Sequence, residues 1–199
     1  MRIFSTKTKR HLLRGFTLVE LVVIAGIISI VSAVLLTNNN LFGGNIILTN
    51  LAYDVALSVR QAQVYGVSTR ATTLGSFTQA YGVHFKLTGG PSSSYIFFVD
   101  ANNNRIYDNP PADTILQLIE VPPSYALTKI CGDAGAGEVC GTTGTIDVSF
   151  LRPSPDALIQ GNIESGASQT FMNARVELTN PSGRTKSVLI SSTGQISIQ

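Results

Sequence analysis

The chain has 199 residues, with hydrophobic residues at 44% and charged residues at 13%, enough for an anchor and one domain with a real core. Its net charge of +2 is unevenly spread. Five of the fourteen Lys and Arg (Arg2, Lys7, Lys9, Arg10 and Arg14) lie in the first fourteen residues, and from Phe16 onward nine Lys and Arg stand against twelve Asp and Glu. A mildly acidic remainder argues against nucleic acid as a partner.

From Phe16 to Leu36 there are twenty-one residues and one ionisable side chain, Glu20. An apolar run of that length can cross a bilayer as a helix. A carboxylate inside such a run is costly to bury and marks a functional position. The basic leader before it places residues 1–15 in the cytoplasm by the positive-inside rule, and the rest outside. Ser32-Ala33-Val34 offers a weak signal-peptidase pattern after the apolar run. Cutting at Gly15 instead would leave the helix on the mature protein.

Arg14-Gly15-Phe16-Thr17-Leu18-Val19-Glu20 resembles the class III signal of type IV prepilins and type II secretion pseudopilins. The resemblance implies cleavage between Gly15 and Phe16 by a membrane-embedded prepilin peptidase, followed by N-methylation of Phe16. It also implies that Glu20 is the assembly residue, a counter-charge for the Phe16 amine of a neighbouring subunit. The implied partners are other pilin or pseudopilin subunits through the N-terminal helix, the inner-membrane assembly platform, and membrane lipid before assembly. The implied location is the inner (plasma) membrane, single-pass, and then an extracytoplasmic pilus or pseudopilus. Thr37 stands where many pilins carry a kinking Pro, so no bend is expected there.

Thr37-Asn38-Asn39-Asn40 and Gly43-Gly44-Asn45 are poor helix formers, and the composition predicts a break or loosening of the helix across Asn38–Gly44. Leu48, Leu51, Val55, Val59 and Ala62 then recur at spacings of three and four, an amphipathic stripe that Gly66 would cap.

Beyond residue 67 the apolar runs are short and separated by Gly, Pro and Asn clusters. They predict strands at Ala80–Leu87, Tyr95–Val99, Thr114–Glu120, Leu127–Cys131, Thr145–Leu151, Thr170–Leu178, Lys186–Ser191 and Gln195–Ile198. The expected fold class is α+β, a long N-terminal helix packed on an antiparallel β head. The expected organisation is a leader over 1–15, a transmembrane and assembly helix over 16–37, a loosened segment with an amphipathic helix over 38–66, and an extracytoplasmic head over 67–199. In the head, Phe97-Phe98-Val99-Asp100-Ala101-Asn102-Asn103-Asn104, Ser149-Phe150-Leu151-Arg152-Pro153 and Val188 to Ile196 resemble GspH/FimT-type pseudopilins, which implies a minor subunit. Gln195 and Ser197 stand where DNA-uptake members carry basic residues.

Cys131 and Cys140 are an even pair in the exterior segment and predict a disulfide. Asp100, Asn102, Asn104, the Ile106 carbonyl and Asp108 fall at alternating places, as in a calcium loop. Arg105 replaces the turn Gly of such a loop and Pro111 its closing acid, which favours an Asn-rich turn over calcium. No other cofactor is expected. The two histidines are His11, in the leader, and His84, inside an alternating strand where a structural role is expected. No nucleophile elbow, zinc motif or Ser/His/Asp grouping is visible, so the chain reads as a non-enzyme. The alternative is a signal-anchored extracytoplasmic binding protein or enzyme outside any filament.

Overall fold

The computed structural model describes residues 15–68, 78–164 and 166–199, with the side chains of 37–43 outside that description. Residues 1–14, expected as most of the leader, fall outside it. By compactness the chain divides into two units, Met1–Asn40 and Leu41–Gln199.

One α-helix, α1, runs from Leu18 to Val67. Its start is written in the sequence. The Thr17 hydroxyl accepts the Glu20 N–H at 3.2 Å, and the Thr17 carbonyl accepts the Leu21 N–H at 3.2 Å. Thr17 is therefore the N-cap, with an acid at the third helical position, the spacing of a capping box. In the first unit the run Leu18–Leu36 is long and apolar enough to cross a membrane, with a mean hydropathy of 2.7 and none of it buried. The backbone stays helical through Asn38–Gly44, where the composition predicts loosening. Each Asn or Gly there costs at most about 1 kcal/mol relative to Ala, and helix propagation from strong flanking segments outweighs that.

In the second unit Leu48, Leu51, Val55, Val59 and Ala62 are all buried. They belong to the same hydrophobic cluster as core residues of the strands, among them Phe85, Tyr95, Ile146, Val176 and Ile190. Gly66 does not cap the helix. It lies inside the last turn, where a Cβ would stand 2.5 Å from the Phe150 carbonyl oxygen, and its own carbonyl accepts the Arg152 N–H at 3.0 Å. The position requires Gly because two backbones meet there.

The strands are β1 (Ala80–Thr88), β2 (Ser94–Asp100), β3 (Thr114–Glu120), β4 (Ala126–Asp133), β5 (Glu138–Gly141), β6 (Thr143–Phe150), β7 (Ala157–Ile163), β8 (Gln169–Phe171), β9 (Asn173–Thr179), β10 (Thr185–Ser191) and β11 (Ile196–Ile198). They form two antiparallel sheets, a six-stranded one ordered β3-β2-β1-β6-β7-β8 and a five-stranded one ordered β11-β10-β9-β4-β5. The α+β class is thus as expected.

Three strand expectations change. The predicted Thr170–Leu178 strand divides into β8 and β9, which lie in different sheets, at Met172. The Met172 N–H bonds to the Asp133 carbonyl, and its carbonyl accepts the Ser192 N–H, so the chain crosses between sheets there. β5 was hidden in the Gly-rich disulfide loop. β7 was hidden because one of its core-facing places is Gly161, where a Cβ would meet the Thr145 carbonyl at 2.0 Å.

Strand alternation gives the six-stranded sheet two faces. Val83, Phe85, Tyr95, Phe97, Ile146 and Val148 enter the core. The opposite face carries a cross-strand row whose Cα partners are Ile96, His84, Asp147, Gln160 and Thr170.

Candidate functional site

Among the described residues, two places are candidates for function. The first is the N-terminal junction. Gly15, Phe16 and Thr17 precede the helix, all three are exposed, and no atom lies close to a Cβ built on Gly15. Phe16 is 77% exposed and Leu18 82%. Glu20 sits in the first turn, where the partial positive charge of the helix N-terminus favours an acidic side chain.

The second place is the row on the outer face of the six-stranded sheet, which sequence reasoning passed over. His84 on β1 and Asp147 on β6 are register partners, and His84 Nδ1 lies 2.7 Å from Asp147 Oδ1. Their side chains are 8% and 1% exposed. With a carboxylate as acceptor, Nδ1 is the donor. Burial pushes the Asp147 carboxyl above its ordinary range, against the opposing pull of the His84 hydrogen bond.

The segment 101–113 folds back over this pair. The Tyr107 N–H donates to Asp147 Oδ1 at 3.3 Å, and the Tyr107 ring lies 4.7 Å from the His84 ring and 5.3 Å from Phe98. A cavity of about 500 Å³ opens beside the loop, lined among others by His84, Lys86, Ser94, Tyr107, Asn109 and Asp147. His84 thus has a buried partner, and that partner is part of a cavity wall. The only sequence signal was positional: His84 and Asp147 each occupy an outward place in an alternating strand.

The calcium-loop residues come together, but as a ladder of turns. Asp100 is buried, and its two carboxylate oxygens accept the N–H groups of Asn104 (3.2 Å) and Arg105 (2.8 Å). Asn102 Oδ1 accepts the Asn104 N–H and Asn104 Oδ1 the Ile106 N–H. Asp108 Oδ2 accepts from the side-chain amides of both Asn102 and Asn104. Asp113, absent from the predicted ligand set except as a substitute, accepts the N–H groups of Ala101 and Asp108. Asn103 and Arg105 take positive φ, at 62° and 68°. Asp100, Asn102, Asn104 and Asp108 each give at least one side-chain oxygen to a hydrogen bond within the loop.

Cys131 and Cys140 form a disulfide across the β4–β5 pair. Glu138 stands close to both sulfurs, but oxidised sulfurs offer no thiolate to a metal. The neighbouring charge is Arg175, whose guanidinium reaches both sulfurs (3.4 and 3.6 Å) and forks onto Glu138 at 2.8 and 2.5 Å. The Glu138 hydrogen bond holds the Arg175 guanidinium above its ordinary range. This cluster staples a hairpin.

No protein-family model, curated protein or solved structure matches this chain.

Proposed function

We propose that the chain is a pilin-like structural subunit, cut between Gly15 and Phe16 by a prepilin peptidase, methylated on the Phe16 amine, and assembled through α1 into a type IV pilus or type II secretion pseudopilus, as a minor subunit. The observation that carries this reading is the junction. Gly15 precedes a Thr17-capped helix whose first nineteen residues include no buried one and carry a single ionisable side chain, Glu20.

The mechanism is assembly rather than turnover. Before assembly, the Leu18–Leu36 surface is covered by lipid in the inner membrane. On extraction by the assembly platform it passes to the helices of neighbouring subunits. Lipid and protein are equally apolar, so close packing supplies the attraction, through Ala25, Gly26, Ser29, Ser32 and Ala33. Ser29 satisfies its hydroxyl within the helix, on the Ala25 carbonyl at 2.8 Å, and can lie at such an interface without a partner from outside.

Glu20 sets the register. A carboxylate left alone among apolar helices is costly, and the methylated Phe16 amine of the adjacent subunit relieves both charges. In this reading the second half of α1 is the spine on which the sheets of the head pack, with Ser58 bonded to Tyr95 (3.0 Å) and Gln63 to the Pro155 and Gly194 carbonyls (2.8 and 3.2 Å). The extracytoplasmic head then forms the surface or tip of the filament. The test is the mature N-terminus: co-expression with a prepilin peptidase should give a chain starting at N-methyl-Phe16. A start at Met1 favours a signal-anchored protein instead, and a cut beyond residue 30 overturns the pilin reading as well.

A further inference from the structure

β3 lies at one end of the six-stranded sheet and, among the described residues, pairs with β2 alone. Edge strands are templates for pairing with another chain, and folds blunt them with charge, proline or bulges. From Thr114 to Ile119 this edge has neither charge nor proline. Ile115, Leu116 and Leu118 are 40, 41 and 54% exposed. Its one such device is a bulge. β2 matches Phe97 to Gln117 and Phe98 to Ile115, so Leu116 is passed over and has no register partner in the sheet.

Ile115-Leu116-Gln117-Leu118-Ile119 reads the same in both directions. Antiparallel strands run in opposite directions, so such a sequence is its own complement. About a two-fold axis at Gln117, Leu116 of each copy lies opposite Leu118 of the other, and Gln117 opposite its own mate. Leu116 and Leu118 flank Gln117 and share a face. It is the outer face, because the register partner of Leu118 is Ile96, in the row of His84 and Asp147. Apolar pairs across neighbouring strands stabilise a sheet. The charges agree with the same axis: it sets Glu120 opposite the neutral Thr114, so no like charges meet.

We propose that β3 is a self-association surface whose partner is β3 of a second copy of this chain, antiparallel and in register about Gln117.

A two-fold contact closes after two copies, so it joins a pair and does not extend a filament. The strip is far smaller than the roughly 800 Å² per partner of a standard interface. The pair is therefore weak in dilute solution and forms where copies are held close together, as in a shared membrane.

A cysteine at the axis tests this. The full chain carrying Gln117→Cys, in phosphatidylethanolamine–phosphatidylglycerol vesicles with copper–phenanthroline as oxidant, should give a disulfide-linked dimer. Its yield should exceed that of Ser182→Cys, an exposed place in the turn after β9, by about fivefold or more. Leu118→Lys, added to Gln117→Cys, should bring the yield down to the Ser182→Cys level. Adding Leu116→Glu as well should restore it, since the new acid of each copy then faces the new base of the other. Leu116, Gln117, Leu118 and Ser182 are all exposed, so the changes leave the core intact.

The proposal is overturned if Gln117→Cys cross-links no better than Ser182→Cys, or if Leu118→Lys leaves the yield unchanged. It is also overturned if Leu116→Glu fails to restore the dimer, since the strands then do not meet in this register. The assay uses the unprocessed chain, so it can fail while cleavage after Gly15 stands.

Discussion

Asp147 Oδ1 is the acceptor for both His84 Nδ1, at 2.7 Å across the β1–β6 pair, and the Tyr107 main-chain N–H, at 3.3 Å. One oxygen thus ties two strands and the 101–113 loop together. The sheet and the loop that covers it are coupled through a single buried carboxyl.

That coupling makes stability depend on pH. Burial, the largest influence, raises the folded Asp147 carboxyl above its free value of 3.8, with the His84 bond opposing it. A raised carboxyl contributes stability that is fully present below the free value and is lost as pH climbs through the folded value. Asp147→Asn stays uncharged throughout. Denaturant melts of both proteins should therefore show the difference moving in favour of the variant as pH rises above the free value of 3.8. Asp100, also raised mainly by burial, is common to both proteins and cancels. Parallel curves would mean that Asp147 is not desolvated as described.

Gly66→Ala should destabilise the head by about 2 kcal/mol, as overpacking against backbone does. The new Cβ would stand 2.5 Å from the Phe150 carbonyl oxygen, and neither backbone is free to yield because the Arg152 N–H bonds to Gly66. A variant as stable as wild type in urea would show that the helix can shift there.

Much of this was legible in the sequence. The stripe Leu48, Leu51, Val55, Val59 and Ala62 is buried throughout, and Thr114–Glu120 is β3 to the residue. Those signals come from periodicity, which one segment carries by itself. Gly66 misled because Gly at a helix end usually serves a left-handed cap, whereas here it admits Phe150 from a strand far along the chain. β7 lost one apolar place to Gly161 for the same reason, a close approach from a partner strand. His84 and Asp147 are 63 residues apart, so their meeting depends on strand register, which no local pattern encodes.

Removal of the disulfide by Cys131→Ser with Cys140→Ser should cost about 2–3 kcal/mol, from the loop-closure entropy of a short ring. The sequence separation is nine residues. The loss should show as a lower urea midpoint. Equal midpoints would indicate that Arg175 and Glu138 alone keep β4 and β5 together.

Glu20→Ala should separate two steps that wild type performs together. Processing after Gly15 should continue, because the residues at the cut are untouched, while incorporation into filaments should fall by about tenfold or more if the carboxylate pairs with the Phe16 amine. Thr17→Val, which removes the hydroxyl that caps the Glu20 N–H, should cost the helix start about 1 kcal/mol and leave incorporation largely intact. Equal incorporation of Glu20→Ala and wild type would remove Glu20 from the assembly mechanism.

The most direct measurement is the mass of the mature N-terminal peptide from sheared surface filaments and from membranes of the producing cell. The account predicts one start, at Phe16 carrying a single N-methyl group, in both fractions. An unprocessed Met1 terminus, or a cut after the apolar run of Leu18–Leu36, would contradict it.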